Sequence, residues 1–424
     1  MRRFRFLPMF YIALINIIGF LMLFFFTEGQ NNTYLYTCVI LCGINIIMYI
    51  LLYFLDYGDL YLFLTVSMLV SIGLIMLCRL DIAKNTSFGQ SQILWFIIGI
   101  VVYFITLIIF AKLNFWSKLR YVYMALTFAL IGLTAVMGTE VNGSKNWIFL
   151  PGNISIQPSE FIKILFCLAI SCYFSAIPTA KELKKKDTRM KFMGIPIDEI
   201  ILCVYVYACM GSLALFQKEW GTALLLFLIY FAMCFVYKTS IILKCINLGG
   251  ITIAGLVGFL FLADHIGVRV TAWQDPWQDP QGAGFQIINS LMAIASGGYF
   301  GKGIGNGMPY IIPEAQNDFI FAAICEEMGI FIGFAIIMLY FILSYRGVKL
   351  AIKSSNEYTK AMCLSLVIAI GFQTFIIIAG VIKLIPMTGI TLPFISSGGS
   401  SMMASFIMLG IMSAAAIPDK KPKR

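Results

Sequence analysis

The residues able to do chemistry are few, and they crowd one stretch. The 54 residues from Asp264 to Asn317 hold Asp264-His265, Arg269, two Asp-Pro pairs (Asp275-Pro276 and Asp279-Pro280), Lys302 and Glu314, and Asp318 follows directly. His265 is the sole histidine, so neither a Ser-His-Asp triad nor a histidine-based zinc site can be assembled convincingly. Eleven cysteines fall almost entirely within apolar runs, with no CxxC and no Cys/His cluster. They read as packing residues, not as disulfides or metal ligands. Catalysis, if the chain performs any, falls to carboxylates and basic side chains. One carboxylate at the edge of an apolar medium can act as a general base, its pKa set by partial burial and by neighbours.

The rest of the chain must place that stretch. Hydrophobic residues make up 60% of the chain and charged residues 12%, and mean hydropathy is +0.92. A soluble domain is about half apolar and a quarter charged. The apolar runs are continuous and of membrane-spanning length, which also excludes a β-barrel. The fold class expected is all-α: a polytopic membrane protein of about twelve helices, at roughly 8–26, 33–55, 60–78, 91–111, 121–138, 159–177, 199–216, 221–237, 245–263, 318–343, 361–382 and 399–417. With the N-terminus inside, the inner segments carry 22 Lys+Arg and the outer ones 7, Lys163 completing the 30. This bias puts both termini in the cytoplasm and the 264–317, 139–158 and 383–398 segments outside. Arg2, Arg3 and Arg5 before a long apolar run read as a signal anchor. The net charge of +10 calls for no nucleic-acid partner, and the basic run 181–191 reads as a solvated cytoplasmic loop.

Several outer motifs stand out. Gln157-Pro158-Ser159-Glu160 opens a helix, with Pro in the first turn and Glu near the positive end of the dipole. Glu160 and Lys163, three residues apart near an interface, are either a helix start alone or a functional pair. Lys218-Glu219 reads as a tight outer turn, bearing either a surface ion pair or a functional group. Residues 286–294 predict a short amphipathic or re-entrant helix. The glycines at 297–307 predict flexible backbone and are not a Walker loop, since GK[ST] is absent. The segment 386–402, PMTGITLPFISSGGSSM, either holds an anion on successive amides or packs helices closely. Trp273 and Trp277 are interface anchors or sugar platforms.

Taken in order, NGSKNW, IQPSEF, QKEWGTALL, WQDPWQDPQGAGFQIINSLMAIASGG, GKGIGN, PEAQNDFIFAAICEEMG and PMTGITLPFISSGGSS resemble the SEDS family, the FtsW, RodA and SpoVE proteins of bacteria. The resemblance covers about 60–417. It implies a ten-helix core at 59–417, preceded by a two-helix addition at 1–58 and followed by a cytoplasmic tail at 418–424. It also implies a peptidoglycan glycosyltransferase of the bacterial plasma membrane that polymerises lipid II. The partners implied are a class B penicillin-binding protein and other divisome or elongasome proteins. The family's W-x-D-P-x-G-x-G-[YF]-Q pattern falls on Trp277 to Gln286, so its essential aspartate falls on Asp279 and not on Asp275. The sequence departs from the family where Asn146 precedes Trp147, at Gln217-Lys218-Glu219 in place of Q-P-D, and at Ser396-Ser397-Gly398-Gly399-Ser400 in place of S-Y-G-G-S.

Given that resemblance, Asp279 is the expected catalytic base. Arg269 and Lys302 are candidates for the departing pyrophosphate. Glu160, Lys163, Trp147, Trp277, Glu314, Asp318 and Ser400 are expected to bind substrate, and Arg79 and Asp81 to line or brace the cavity. A divalent cation, Mg or Mn, is compatible with the chemistry, although no dedicated metal motif is present. A single base predicts inversion at the sugar carbon. The alternatives are a lipid II flippase, which needs charge through the bilayer centre, and a non-catalytic scaffold for a penicillin-binding protein.

Overall fold

The computed structural model describes residues 6–27, 29, 32–55, 58–113, 115–141, 143–151, 154–177, 190–192, 195–237, 239–261 and 263–417. Arg2, Arg3 and Arg5, the basic residues of 181–189 and the tail from 418 lie outside the described residues. Eleven of the twelve expected spans correspond to one helix each. Nine of the described helices are long and apolar enough to cross a membrane. The chain is a polytopic α-helical membrane protein whose residues sort into two compact units.

The first unit takes Met1–Ile109, Thr271–Gly347 and Gln373–Ile417. It opens with α1 (Phe6–Phe26), α2 (Thr33–Leu55), α3 (Leu60–Lys84) and α4 (Phe88–Lys112). Helix α3 is its axis. Its sequence favours no apolar face, and almost all of it is buried, as expected of a helix surrounded by protein. Within a membrane such packing relies on close backbone approach, because lipid is as apolar as leucine. A Cβ at Gly73 would lie 2.8 Å from the carbonyl oxygen of Ile395, and one at Gly19 would lie 2.5 Å from Cδ1 of Ile75. Asp59 starts α3 by accepting the N–H groups of Tyr61 at 2.9 Å and Leu62 at 3.1 Å. The same carboxylate pairs with Arg346, whose guanidinium lies 4.7 Å from the Tyr61 ring centre. Residues 56–59 carry two aspartates and no Lys or Arg, and this pair neutralises one of them, Asp59.

Two expectations for this unit are corrected. The span at 318–343 is not one helix but two, α12 (Ile320–Met328) and α13 (Ile330–Lys353), separated by Gly329 at φ 87°. The polar stretch before it is largely structured: α10 (Ala263–Gln274), a 3-10 turn at Pro276–Gln278, α11 (Phe285–Gly297) and a second 3-10 turn at Pro309–Ile311. The helix expected at 286–294 is α11.

The second unit takes Phe110–Val270 and Val348–Phe372. It holds α5 (Arg120–Met137), α6 (Pro158–Ser175), α7 (Ile197–Phe216), α8 (Trp220–Val236) and α9 (Ile241–Phe261). Here α6 is the buried axis. Phe166 stacks on Tyr205 of α7 at 5.7 Å, and Ser171 meets Ser365 at 3.0 Å, a residue of α14 (Glu357–Val381). The segment 139–158, in which Asn142-Gly143 and Pro151-Gly152-Asn153 are turn signals, forms a three-stranded antiparallel sheet, β1 (Thr139–Val141), β2 (Ser144–Leu150) and β3 (Ile154–Ile156). Strands of three to seven residues lack the length for a clear alternation signal, so only the turns between them show in the sequence. The sheet is pinned to the α7–α8 turn: the Lys145 N–H donates to the Gln217 carbonyl at 2.9 Å, and the Ser144 hydroxyl donates to that of Lys218 at 3.2 Å.

Candidate active site

Two aspartates flank the 3-10 turn between α10 and α11. Asp275 caps it, accepting the Trp277 N–H at 3.2 Å. Asp279 makes the tighter arrangement. Its Oδ1 accepts the Gly282 N–H at 3.0 Å and its Oδ2 the Ala283 N–H at 2.9 Å. Its main-chain carbonyl takes the Gly284 N–H at 3.0 Å. Aspartate favours turns through bonds of this kind. The result here is an exposed carboxylate held at two points by backbone. The glycine spacing is a steric requirement of that grip. A Cβ at Gly282 would lie 2.1 Å from Oδ2 of Asp279, and one at Gly284 would lie 2.0 Å from the Pro276 carbonyl oxygen.

The glycine run that follows α11 is not flexible backbone. It docks main chain to main chain on the break at Gly329. The Ile330 N–H donates to the Gly298 carbonyl at 3.0 Å, the Lys302 N–H to that of Glu326 at 3.0 Å, and the Gly303 N–H to that of Glu327 at 2.9 Å. A Cβ at Gly301 would lie 2.3 Å from the Glu327 carbonyl oxygen, and one at Gly329 would lie 2.4 Å from the Gly301 nitrogen. Two buried carboxylates hold the loop. Glu327 accepts from Arg79 Nε at 2.9 Å and from the Gly305 N–H at 3.1 Å. Glu326 accepts from Lys302 Nζ at 2.8 Å and from the Met308 N–H at 3.1 Å. Arg79 then donates to the carbonyls of Gly305 at 3.0 Å and Gly307 at 3.3 Å. Charge in an apolar medium persists only when paired and fully hydrogen-bonded, and these four side chains satisfy that condition together. Lys302 thus enters the site already paired, with 35% of its side chain exposed.

The other first-unit candidates divide between packing and exposure. The Glu314 carboxylate accepts from Gln316 at 3.2 Å and Asn317 at 2.7 Å, ordering its own turn. Asp318 is half-buried, its Oδ2 3.8 Å from where a Gly389 Cβ would stand. Trp277 is exposed. Trp273 anchors its indole on the Lys383 carbonyl at 3.1 Å. Ser400 is buried in α15 (Gly399–Ala414). The amides ahead of it are spent on protein oxygens: Ser397 on the Gln316 carbonyl at 2.9 Å and Gly398 on Gln92 Oε1 at 3.1 Å. Close packing of 386–402 is visible at Gly399, where an added Cβ would meet the Trp95 ring.

In the second unit Glu160 and Lys163 are buried and paired at 2.8 Å. Trp147 is half-buried on β2, and Arg269 is exposed on α10. The side chains of Asp264 and His265 lie outside the described residues. The Lys218-Glu219 expectation is corrected. Lys218 reaches Glu140 at 3.7 Å on the surface, whereas Glu219 turns inward. Its Oε1 accepts from Gln157 at 2.9 Å, Ser159 at 2.8 Å and Thr222 at 2.8 Å, while Oε2 is buried without a partner. Burial pushes Glu219 above the usual carboxylate range, and the nearby Glu160 adds to the rise. Sequence reading missed this cluster because an acidic residue next to a lysine in a turn reads as surface. The signal present was the Gln157–Ser159 pair needing a buried acceptor. Among the described residues no three Asp, Glu, His or Cys side chains gather as a metal site.

Residues 59–421 match the model of a family of cell cycle proteins, FtsW/RodA/SpoVE. The chain belongs to this family. The matched stretch leaves out α1 and α2. Among curated relatives of this FtsW/RodA/SpoVE protein is the peptidoglycan glycosyltransferase RodA of Mycobacterium bovis, 34% identical over 385 residues, covering 88% of this chain and 80% of the relative. Another is the stage V sporulation protein E of Bacillus subtilis, 33% identical, covering 84% and 95%. Among solved structures, a chain of a peptidoglycan synthase complex that coordinates polymerization and crosslinking superposes with TM-score 0.66 at 23% identity, covering 85% of this chain and 97% of that one. RodA of Thermus thermophilus superposes with TM-score 0.60 at 23% identity, covering 85% and 96%. Both likenesses establish the fold.

Two expectations follow from the geometry. Gly282→Ala forces the Asp279 carboxylate off its amides, so it abolishes enzymatic activity as fully as Asp279→Ala while the protein still purifies folded. Side-by-side activity assays and thermal unfolding check this. Glu219 binds its proton more tightly in the fold than in the unfolded chain. Its protonation therefore stabilises the fold at pH values below about 4.5, the ordinary glutamate value, and that contribution fades as pH rises through the raised value. Glu219→Gln keeps the acceptor oxygen and removes the titration, so its thermal midpoint is flatter with pH over that window than the wild type's, measured in detergent by fluorescence-monitored melting.

Proposed function

We propose that this protein is a peptidoglycan glycosyltransferase that polymerises lipid II at the outer face of the bacterial plasma membrane. In this reading Asp279 is the general base. The acceptor sugar hydroxyl gives its proton to the Asp279 carboxylate as its oxygen bonds to the donor sugar carbon. The bond from that carbon to the lipid pyrophosphate breaks in the same displacement, the pyrophosphate leaves with its lipid, and the carbon inverts. The observation that carries the reading is the exposed Asp279 carboxylate, gripped by Gly282 and Ala283, in a chain of this family. A positioned base of this kind accelerates such a transfer by about 10²–10⁴-fold. Arg269 and Lys302 are proposed to meet the pyrophosphate, Lys302 through the part of its side chain that remains exposed beside Glu326. Glu160, Lys163, Trp147, Trp277, Glu314, Asp318 and Ser400 are proposed to bind substrate.

The orientation proposed has both termini in the cytoplasm. It is supported by the 22-to-7 charge bias and by the Asp59–Arg346 pair, which joins two segments assigned to the inner side. The partner proposed is a class B penicillin-binding protein of the division, elongation or sporulation machinery, by analogy with the complex that couples polymerization to crosslinking. Against a flippase stands the placement of charge. Arg79 lies in the last turns of α3, Glu160 in the first turn of α6, and Glu326 and Glu327 end the short α12.

Purified protein with its transpeptidase partner and lipid II separates the readings. Wild type and Asp275→Ala are expected to make glycan polymer, and Asp279→Ala to make none. Polymer from Asp279→Ala would overturn the assignment of the base. No polymer from a correctly assembled wild-type complex would favour a transporter or a scaffold.

A further inference from the structure

A cavity of about 330 Å³ opens where the ends of α1 and α2 meet the ends of α3 and α4, within the size range of small-molecule sites. The helical hairpin outside the family match supplies part of its wall, with Thr27, Tyr34 and Thr37, and α3 and its exit turn supply Asp81 and Thr86. Polar surface predominates, and no Lys or Arg lines it among the described residues.

The wall is rich in acceptors. A hydroxyl has one hydrogen to give and two lone pairs. Three of these hydroxyls have spent their hydrogen inside the protein: Thr27 on the Phe24 carbonyl at 2.9 Å, Thr37 on the Thr33 carbonyl at 2.9 Å, and Thr86 on Asp81 Oδ1 at 2.8 Å. Each is left with lone pairs alone. Asp81 accepts the Phe88 N–H on Oδ1 at 2.7 Å and the Gly89 N–H on Oδ2 at 2.8 Å, and takes a further backbone hydrogen bond from Gln90, which caps α4 and holds the carboxylate at the cavity wall. Tyr34 adds an aromatic ring, a surface that favours cations. A carboxylate, hydroxyl lone pairs and an aromatic ring repel phosphate and attract a compact group with several N–H donors and positive charge. The level of the cavity, at the ends of membrane helices, is that of lipid headgroups.

We propose that this cavity binds a primary ammonium group, presented by an aminolipid headgroup or by a free amine, and that the α1–α2 hairpin exists in part to complete the site. Phe26 ends α1 beside Thr27. Its ring lies under the Arg79 guanidinium at 4.8 Å and against Gly305, whose added Cβ would lie 2.4 Å from the ring. The hairpin that walls the cavity thus also touches the Arg79–Glu327 pair and the glycine loop. The assignment does not depend on the polymerase reading.

The test uses the full chain in phosphatidylglycerol nanodiscs. Native mass spectrometry compares retention of added phosphatidylethanolamine with that of its N-acetylated form, and thermal melting follows added ethanolamine. Thr37→Val removes a lone-pair donor without changing shape. Asp81→Asn is the stronger change but loosens the α4 cap, so Thr37→Val decides. Phosphatidylethanolamine retained about tenfold over its N-acetyl form, with retention falling about fivefold in Thr37→Val, assigns the site to a lipid headgroup; a hydrogen bond to a charged group has this order of effect. No lipid preference, but stabilisation by ethanolamine in wild type that is lost in Thr37→Val, assigns it to a free amine. Equal retention of both lipids with no ethanolamine effect, or responses unchanged in Thr37→Val, overturns the proposal.

Discussion

The polar half of the first unit depends on one constraint: two adjacent carboxylates, Glu326 and Glu327, are buried at the end of α12. Left unpaired in an apolar medium they would prevent the fold from forming. Their partners determine what surrounds them. Arg79 must stand at the end of α3, Lys302 must reach in from the loop, and the amides of Gly305 and Met308 must close over the oxygens. The glycines at 301 and 329 allow that closure because any Cβ there would strike main chain. The helix break at Gly329 is part of the same solution, since it frees the Ile330 N–H for the Gly298 carbonyl. A polar loop is thereby made rigid at the edge of the membrane helices, downstream of the turn that carries Asp279.

The second unit solves a similar problem differently. Glu160 is neutralised within its own helix by Lys163. Glu219 meets neutral donors from Gln157, Ser159 and Thr222 on one oxygen only. Burial without a cation holds Glu219 toward its protonated form, whereas Glu326 and Glu327 of the first unit are matched by basic groups. The three-stranded sheet, which holds Trp147, is fastened to the turn that carries Glu219.

What the sequence made legible was what depends on local composition. Helix number and position follow from apolar run length, and α6 begins at Pro158 as its Pro and Glu residues imply. Asp279 was separable from Asp275 only through the family pattern. The structure gives a physical counterpart to that pattern, because Asp279 holds two amides across a Gly-x-Gly segment and Asp275 holds one. What was not legible depends on contacts distant in sequence. The run at 297–307 reads as flexible until Glu326 and Glu327 are placed beneath it. Glu219 reads as surface until Gln157 and Ser159 are brought to it. The break at Gly329 is hidden in an apolar run that hydropathy alone continues unbroken.

The central claim is that Asp279 acts through its chemistry and not only as the cap of its turn. Asp279→Asn separates the two, since an asparagine oxygen still accepts an amide of the turn but cannot take a proton from a sugar hydroxyl. The measurement is the initial rate of lipid II polymerisation by the Asp279→Asn complex beside the wild type, with thermal unfolding of both. The account predicts an essentially unchanged melting midpoint and a rate lower by about 100-fold or more. Polymerisation at the wild-type rate by a stably folded Asp279→Asn protein would contradict it.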